Sequence, residues 1–102
     1  MHKYELGVVF HPHLEEDELK AEHNVVFELI SRFGGTVDKI DNWGKRKLAY
    51  EIQKVHEGYY CFIYIDAPPE LPALLEERLR IREKLMRFMM IRRDDMTGQT
   101  ET

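Results

Sequence analysis

The run Tyr59-Tyr60-Cys61-Phe62-Ile63-Tyr64-Ile65 constrains this chain more than any other stretch. Seven apolar or aromatic residues stand in a row, bounded by Gly58 on one side and Asp66-Ala67-Pro68-Pro69 on the other. Their length and composition predict a strand that is apolar on both faces. One face of such a strand packs on a core. The other must also find cover, because apolar surface left in water is unfavourable.

The flanking segments say what that core is made of. Lys3 to Phe10 predicts a strand with Tyr4, Leu6, Val8 and Phe10 on one face and Lys3, Glu5, Gly7 and Val9 on the other; Pro12 stops it. Leu14 to Phe33 predicts a helix. Glu15, Glu16, Asp17 and Glu18 crowd its first turns, where the helix dipole favours anions. Leu19, Val26, Leu29, Ile30 and Phe33 form its apolar stripe, and Gly34-Gly35 ends it. Thr36 to Trp43 predicts a strand, Gly44 a bulge or turn, and Lys47 to Ile52 a further strand-like piece. Gln53 to Glu57 reads as a polar turn closing on Gly58. A second helix, with Pro69 near its first turn, runs to about Lys84 with Leu71, Leu74, Leu75 and Leu79 on one side. Met86 to Arg92 predicts the last strand. Residues 1–93 read as one domain and 94–102 as a polar, frayed tail.

Strand, helix, strand, strand, helix, strand, with right-handed crossovers, is the ferredoxin-like βαββαβ arrangement of the α+β class. It is a four-stranded antiparallel sheet with two helices on one face. The other sheet face has no helix. If Cys61, Ile63 and Ile65 meet the helices, then Tyr60, Phe62 and Tyr64 point outward, joined by Met89, Ile91 and Val9. The outer face of such a sheet is usually polar. An aromatic one marks a contact surface.

Charge points to a second contact. The formal net charge is -4, yet Lys45-Arg46-Lys47 stand together after Gly44. Residues 78–93 hold Arg78, Arg80, Arg82, Lys84, Arg87, Arg92 and Arg93 against Glu83 alone. A cationic knuckle at a strand bend suits phosphate, and an acidic chain touches nucleic acid at one edge rather than coating it. Lys45, Arg46 and Lys47, with Lys3 and Lys54 nearby and Arg87 in the basic third, are the candidate phosphate contacts. Three neutralised phosphates alone give modest affinity and no sequence specificity. The competing reading of the knuckle is a solvated hairpin surface. Arg78 with Arg82 and Arg80 with Lys84 form rows at four-residue spacing on a helix; there the competing readings are complementing the helix dipole, which explains Arg82 and Lys84 about as well as RNA does, and intrahelical pairing of Arg80 and Lys84 with Glu76 and Glu77.

Other chemistry is poorly supported. Cys61, the single cysteine, has no partner for an internal disulfide and reads as a small buried hydrophobe. His2, His11, His13, His23 and His56 make no helical His-x-x-x-His pair and have no cysteine partner, so no metal site is expected. No glycine-rich phosphate loop and no nucleophile beside a base appear, and no cofactor or small-molecule substrate is expected. The loop Phe10-His11-Pro12-His13-Leu14 lacks the arginine and glycines that an acylphosphatase needs. A regulatory ligand-binding domain of the same shape is the alternative outside nucleic-acid work. No apolar run approaches the length of a membrane span, and Met1-His2-Lys3-Tyr4-Glu5 is unlike a signal peptide, so a cytoplasmic location is expected.

Several local runs are familiar together. The opening Tyr4-Glu5 strand ending in His11-Pro12, the Gly34-Gly35 stop, the run Gly44-Lys45-Arg46-Lys47-Leu48-Ala49-Tyr50-x-Ile52 and Gly58-Tyr59 occur in order. With Leu79-Arg80-Ile81-Arg82 leading to Met86-Arg87-Phe88-Met89, the chain resembles bacterial small-subunit ribosomal protein six over roughly residues 2–93. That resemblance implies a non-enzymatic structural protein of the small ribosomal subunit. It implies binding to the central domain of small-subunit ribosomal RNA, as a heterodimer with the strongly basic small-subunit ribosomal protein eighteen. His2 stands where members often carry arginine, and the tail is short and mildly acidic.

Tyr60, Phe62 and Tyr64, with Met89 and Ile91, are then the expected partner-protein interface, since aromatics concentrate at interface centres. Base stacking, as on an RNA-recognition motif, fits less well. That motif has aromatics on both central strands, whereas the first strand here offers Lys3, Glu5, Gly7 and Val9.

Overall fold

The computed structural model describes residues 1–93 and orders them as β1 (His2–Phe10), α1 (Glu16–Arg32), β2 (Thr36–Ile52), β3 (Val55–Ala67), α2 (Leu71–Leu79) and β4 (Leu85–Arg92). The tail expected at 94–102 lies outside the described residues. All four strands join in one antiparallel sheet in the order β2-β3-β1-β4. Each helix carries the chain past one intervening strand, so β1 and β3 become the central pair. This is the expected ferredoxin-like arrangement.

Register sorts the side chains. Tyr4 lies opposite Ile65, Leu6 opposite Ile63 and Val8 opposite Cys61. These six are all buried, and Val26, Leu29 and Ile30 of α1 with Leu71, Leu75 and Leu79 of α2 complete the core against them. Each large aliphatic side chain so buried contributes about 1.5–3 kcal/mol before entropy is counted. Burial pushes the Cys61 thiol up to about 11, with Asp41 adding a smaller push in the same direction. The cysteine is the inert core residue its surroundings suggested.

Both helices are shorter than their apolar patterns imply. α1 starts at Glu16 rather than Leu14, because the Glu18 carboxylate accepts the Glu15 backbone N–H at 3.0 Å and fixes the first turn. α2 ends at Leu79 rather than Lys84. Beyond it the Arg82 and Leu85 N–H groups donate to Leu79 and Arg82 carbonyls in successive turns. Arg82 there reaches α1 and grips Glu22 with two hydrogen bonds of 2.9 Å. Lys84 reaches Glu18 at 3.4 Å. The expected helical rows Arg78/Arg82 and Arg80/Lys84 therefore do not form. Their downstream members pair across to α1 instead.

Glu22 occupies a buried position within the stripe of α1. The next residue, His23, packs edge-on to Phe10 at 5.1 Å and beside Phe27 at 6.3 Å. Its Nε2 is buried with no hydrogen-bond partner among the described residues. Burial holds the His23 imidazole below the usual histidine range. The folded chain thus resists a proton that the unfolded chain accepts. Stability from this group is full above about pH 6.5 and declines as pH falls below it, by at most about 1.4 kcal/mol per unit. Urea titrations across pH 5–8 should show this loss, and the His23→Phe variant should lack it. Identical pH curves for the two proteins would contradict the assignment.

The β2–β3 ribbon differs most from expectation. β2 runs unbroken through Gly44, where two separate strand pieces were expected. Gly44 takes φ +75° and absorbs a shift of register between Asn42 and Gly44. The Asn42 Oδ1 accepts its N–H at 3.1 Å. The extra residue becomes a bulge, so pairing continues past it. The polar turn is only Gln53-Lys54, both at positive φ (52° and 65°), and Ile52 pairs with Val55. A two-residue turn of that hand matches the twist of the strands it joins. Val55 to Glu57, expected in the turn, begin β3.

Candidate partner and nucleic-acid interface

The face of the sheet away from the helices carries Gly7 opposite Phe62 and Val9 opposite Tyr60, flanked by Met89 and Arg87 of β4. Phe62 lies over the backbone of Gly7, where a Cβ would stand 3.1 Å from its ring. Trp43 of β2 meets Phe62 edge-on at 4.8 Å and stacks beside Tyr60 at 6.5 Å. Met89 is 58% exposed and Trp43 47% exposed. Gly7, Val9, Tyr60, Phe62, Arg87 and Met89 line a continuous groove there. Gly58 closes one end of it: an added Cβ would fall 2.5 Å from Val9, so the ribbon approaches β1 closely only because no side chain intervenes.

The opposite end of the same face is polar. Lys3 pairs with Asp66 at 2.9 Å, and Arg93 pairs with Glu5. Arg93 and Lys39 lie over the Tyr64 ring at 4.9 and 5.6 Å from its centroid. Thus Tyr60, Phe62, Tyr64, Met89 and Ile91 share one face, but Tyr64 belongs to its charged end. Apolar cover is wanted at Trp43, Tyr60, Phe62 and Met89. Ile91, opposite Glu5, sits at the border and is exposed.

The bulge at Gly44 divides the basic knuckle. Downstream of it, Arg46 pairs with Gly58 and Lys45 with Tyr59, so their side chains leave opposite faces of the ribbon. Arg46 folds over Trp43, 5.8 Å from the ring centroid, and its Nε donates to the Trp43 carbonyl at 3.1 Å. Lys45 lies over Tyr59 at 5.2 Å. Lys47 pairs with Glu57 and borders a groove with Trp43, Arg46, Leu48, Ala49 and Tyr60. Lys54 shares a different groove with Lys45. Arg87 sits across the sheet, its Nη1 donating to the Tyr50 hydroxyl at 2.8 Å. Lys3 is at the polar end, remote in register from the knuckle. The six candidate phosphate contacts therefore occupy several places rather than one.

Two residues of the open face were absent from the expected set. Trp43 and Tyr50 both come from β2, whose imperfect alternation hides its faces. Trp43 beside a glycine bulge was the available signal. Tyr50 had none, because its contact with Arg87 depends on the curl of the whole ribbon. Among the described residues no group of three histidine, cysteine, aspartate or glutamate side chains is placed to hold a metal ion. No helix among them is long and apolar enough to cross a membrane.

Comparison with known proteins agrees with this architecture. The family model described as ribosomal protein S6 matches residues 3–92. Small ribosomal subunit protein bS6 of Clostridium novyi is 45% identical over 91 residues, covering 89% of this chain and 96% of the relative. The bS6 protein of Clostridium botulinum strain 657 is also 45% identical, with 89% and 97% covered. The crystal structure of 30S ribosomal protein S6 from Thermotoga maritima superposes with a TM-score of 0.90 at 30% identity, covering 98% of this chain and 94% of that one. A matching element order, an unhelixed aromatic sheet face and identity along nearly the whole chain converge: this chain belongs to the ribosomal protein S6 family, structural and non-enzymatic components of the small ribosomal subunit.

Proposed function

We propose that the chain binds the central domain of small-subunit ribosomal RNA as a heterodimer with small-subunit ribosomal protein eighteen. The observation that carries this reading is the apolar groove at Tyr60, Phe62 and Met89, with Trp43 edge-on to Phe62, on a sheet face that no helix among the described residues covers. In this reading the partner covers that groove and supplies most of the RNA contact. The chain itself, at net charge -4, adds phosphate contacts from its periphery. Base stacking is disfavoured at Tyr64, whose ring is already occupied by Arg93 and Lys39.

The test is a titration of a central-domain RNA fragment with the chain alone, the partner alone and both together. Joint binding should be at least about tenfold tighter than either alone, a coupling of about 1.4 kcal/mol. Equal affinity with and without the partner would contradict the reading.

A further inference from the structure

Lys45, Lys54, His13 and His56 line one shallow notch with Pro12, Val55 and Glu57. Three separate segments converge there: the β1–α1 loop, β2 just past its bulge, and the hairpin turn. Each is held in place by something other than the notch. Pro12 is buried, the His11 N–H donates to the Lys84 carbonyl at 2.9 Å, and the His13 N–H donates to His11 Nδ1 at 3.3 Å. Lys45 rests on the Tyr59 ring. Lys54 is aimed by the positive φ of the two-residue turn.

Two lysines and two histidines, side chains that carry N–H donors, are among its seven lining residues. Glu57 lines it too, and Glu51 lies 3.5 Å from His56 Nε2. Cations still outnumber the one carboxylate among the lining residues. A compact anion with several acceptor oxygens and an extended, repeating backbone fits this better than a carboxylate or an apolar group.

Resting on the function proposed above, we infer that this notch is where the chain itself holds the RNA ribose-phosphate backbone, through Lys45, Lys54, His13 and His56. The bulge at Gly44 makes the division of labour possible. It turns Arg46 toward the partner face and Lys45 toward the notch, so one basic run serves both sides of the ribbon. His13 and His56, which carry no metal-site signal in the sequence, become part of the RNA contact.

The experiment uses the heterodimer and the central-domain RNA fragment, with affinity measured across salt concentrations. Lys45→Gln/Lys54→Asn removes two cations; asparagine tolerates the positive φ at 54. Its slope of log affinity against log salt should be shallower by roughly 1.4–1.8, the value for two phosphates. A control pair on exposed α1 positions, Lys20→Gln/Arg32→Gln, changes the net charge equally and should leave the slope unchanged. In parallel, the imidazole C–H resonances of His13 and His56 should shift on RNA addition while those of His23 stay put. An unchanged slope in the notch variant, an equal change in the control, or silent His13 and His56 resonances would overturn the inference. If the unaltered heterodimer fails to bind the RNA, the functional reading fails and this site falls with it.

Discussion

Phe62→Glu should abolish pairing with small-subunit ribosomal protein eighteen and leave the chain folded. Phe62 is on β3, the most apolar strand, yet its side chain faces away from the core that Cys61, Ile63 and Ile65 enter. Its ring sits between Trp43 and the bare backbone of Gly7, in the middle of the apolar groove. Phe62 is only partly buried in the free chain, so a carboxylate there would still reach water. In a covered interface it would be buried without a partner. Losing a central aromatic anchor typically costs 2 kcal/mol or more, and the stranded charge adds to that. The expected loss is about a hundredfold or greater in affinity, about 2.7 kcal/mol. Calorimetric titration measures it, and an unchanged far-ultraviolet spectrum with a cooperative melt checks folding. Normal pairing by a folded variant would contradict the role given to the open face.

The second large effect concerns the fold. Arg82→Ala should destabilise the chain by about 2–3 kcal/mol, somewhat below the range for a fully buried pair because the Arg82 side chain is 32% exposed. The loss comes from Glu22, which is 6% exposed on α1 and would be left without either of its two guanidinium hydrogen bonds. Hydrogen bonding to Glu22 also raises the Arg82 guanidinium above its ordinary value. The double variant Glu22→Met/Arg82→Met should recover most of the loss, since apolar replacement of both partners removes the unpaired charge. Denaturant unfolding of Glu22→Met, Arg82→Met and the double variant completes the cycle. Additive losses in the double variant would show that the two residues act independently.

The pair also explains why one helix boundary was hard to read. Through residue 84 the chain keeps charges at four-residue spacing, a pattern compatible with a longer α2. Past the helix end at Leu79, Arg82 contacts Glu22, 60 positions earlier in the chain, and local periodicity carries no trace of that pairing. The central strands were legible for the opposite reason. Over Tyr4 to Val8 of β1 and Cys61 to Ala67 of β3 the inward residues are apolar and buried, so period-two alternation and burial agree there. That agreement placed Tyr60, Phe62 and Tyr64 outward from sequence alone.

The edge ribbon was legible only in outline. β2 is mostly exposed, so its alternation carries little hydrophobic signal. A bulge in such a strand reverses which side each later residue takes. Plain alternation from Trp43 would have put Lys45 and Lys47 on the aromatic face and Arg46 off it; the bulge at Gly44 exchanges Lys45 and Arg46. The turn was disguised as well. Gln53 and Lys54 adopt positive φ without glycine or asparagine, the usual markers of a two-residue hairpin. The grouping of Lys45 with Lys54, His13 and His56 follows from both features and from neither alone.

The central claim is that the partner covers the aromatic sheet face. Two exposed apolar residues near the helices, Leu74 and Ile81, provide the contrast, being 41% and 77% exposed. The most direct measurement is nuclear magnetic resonance of the labelled chain as small-subunit ribosomal protein eighteen is added. The Met89 methyl and Trp43 indole N–H resonances should shift strongly, with Leu74 and Ile81 methyls unmoved. Shifts at Leu74 and Ile81 with Met89 and Trp43 unchanged would contradict the account.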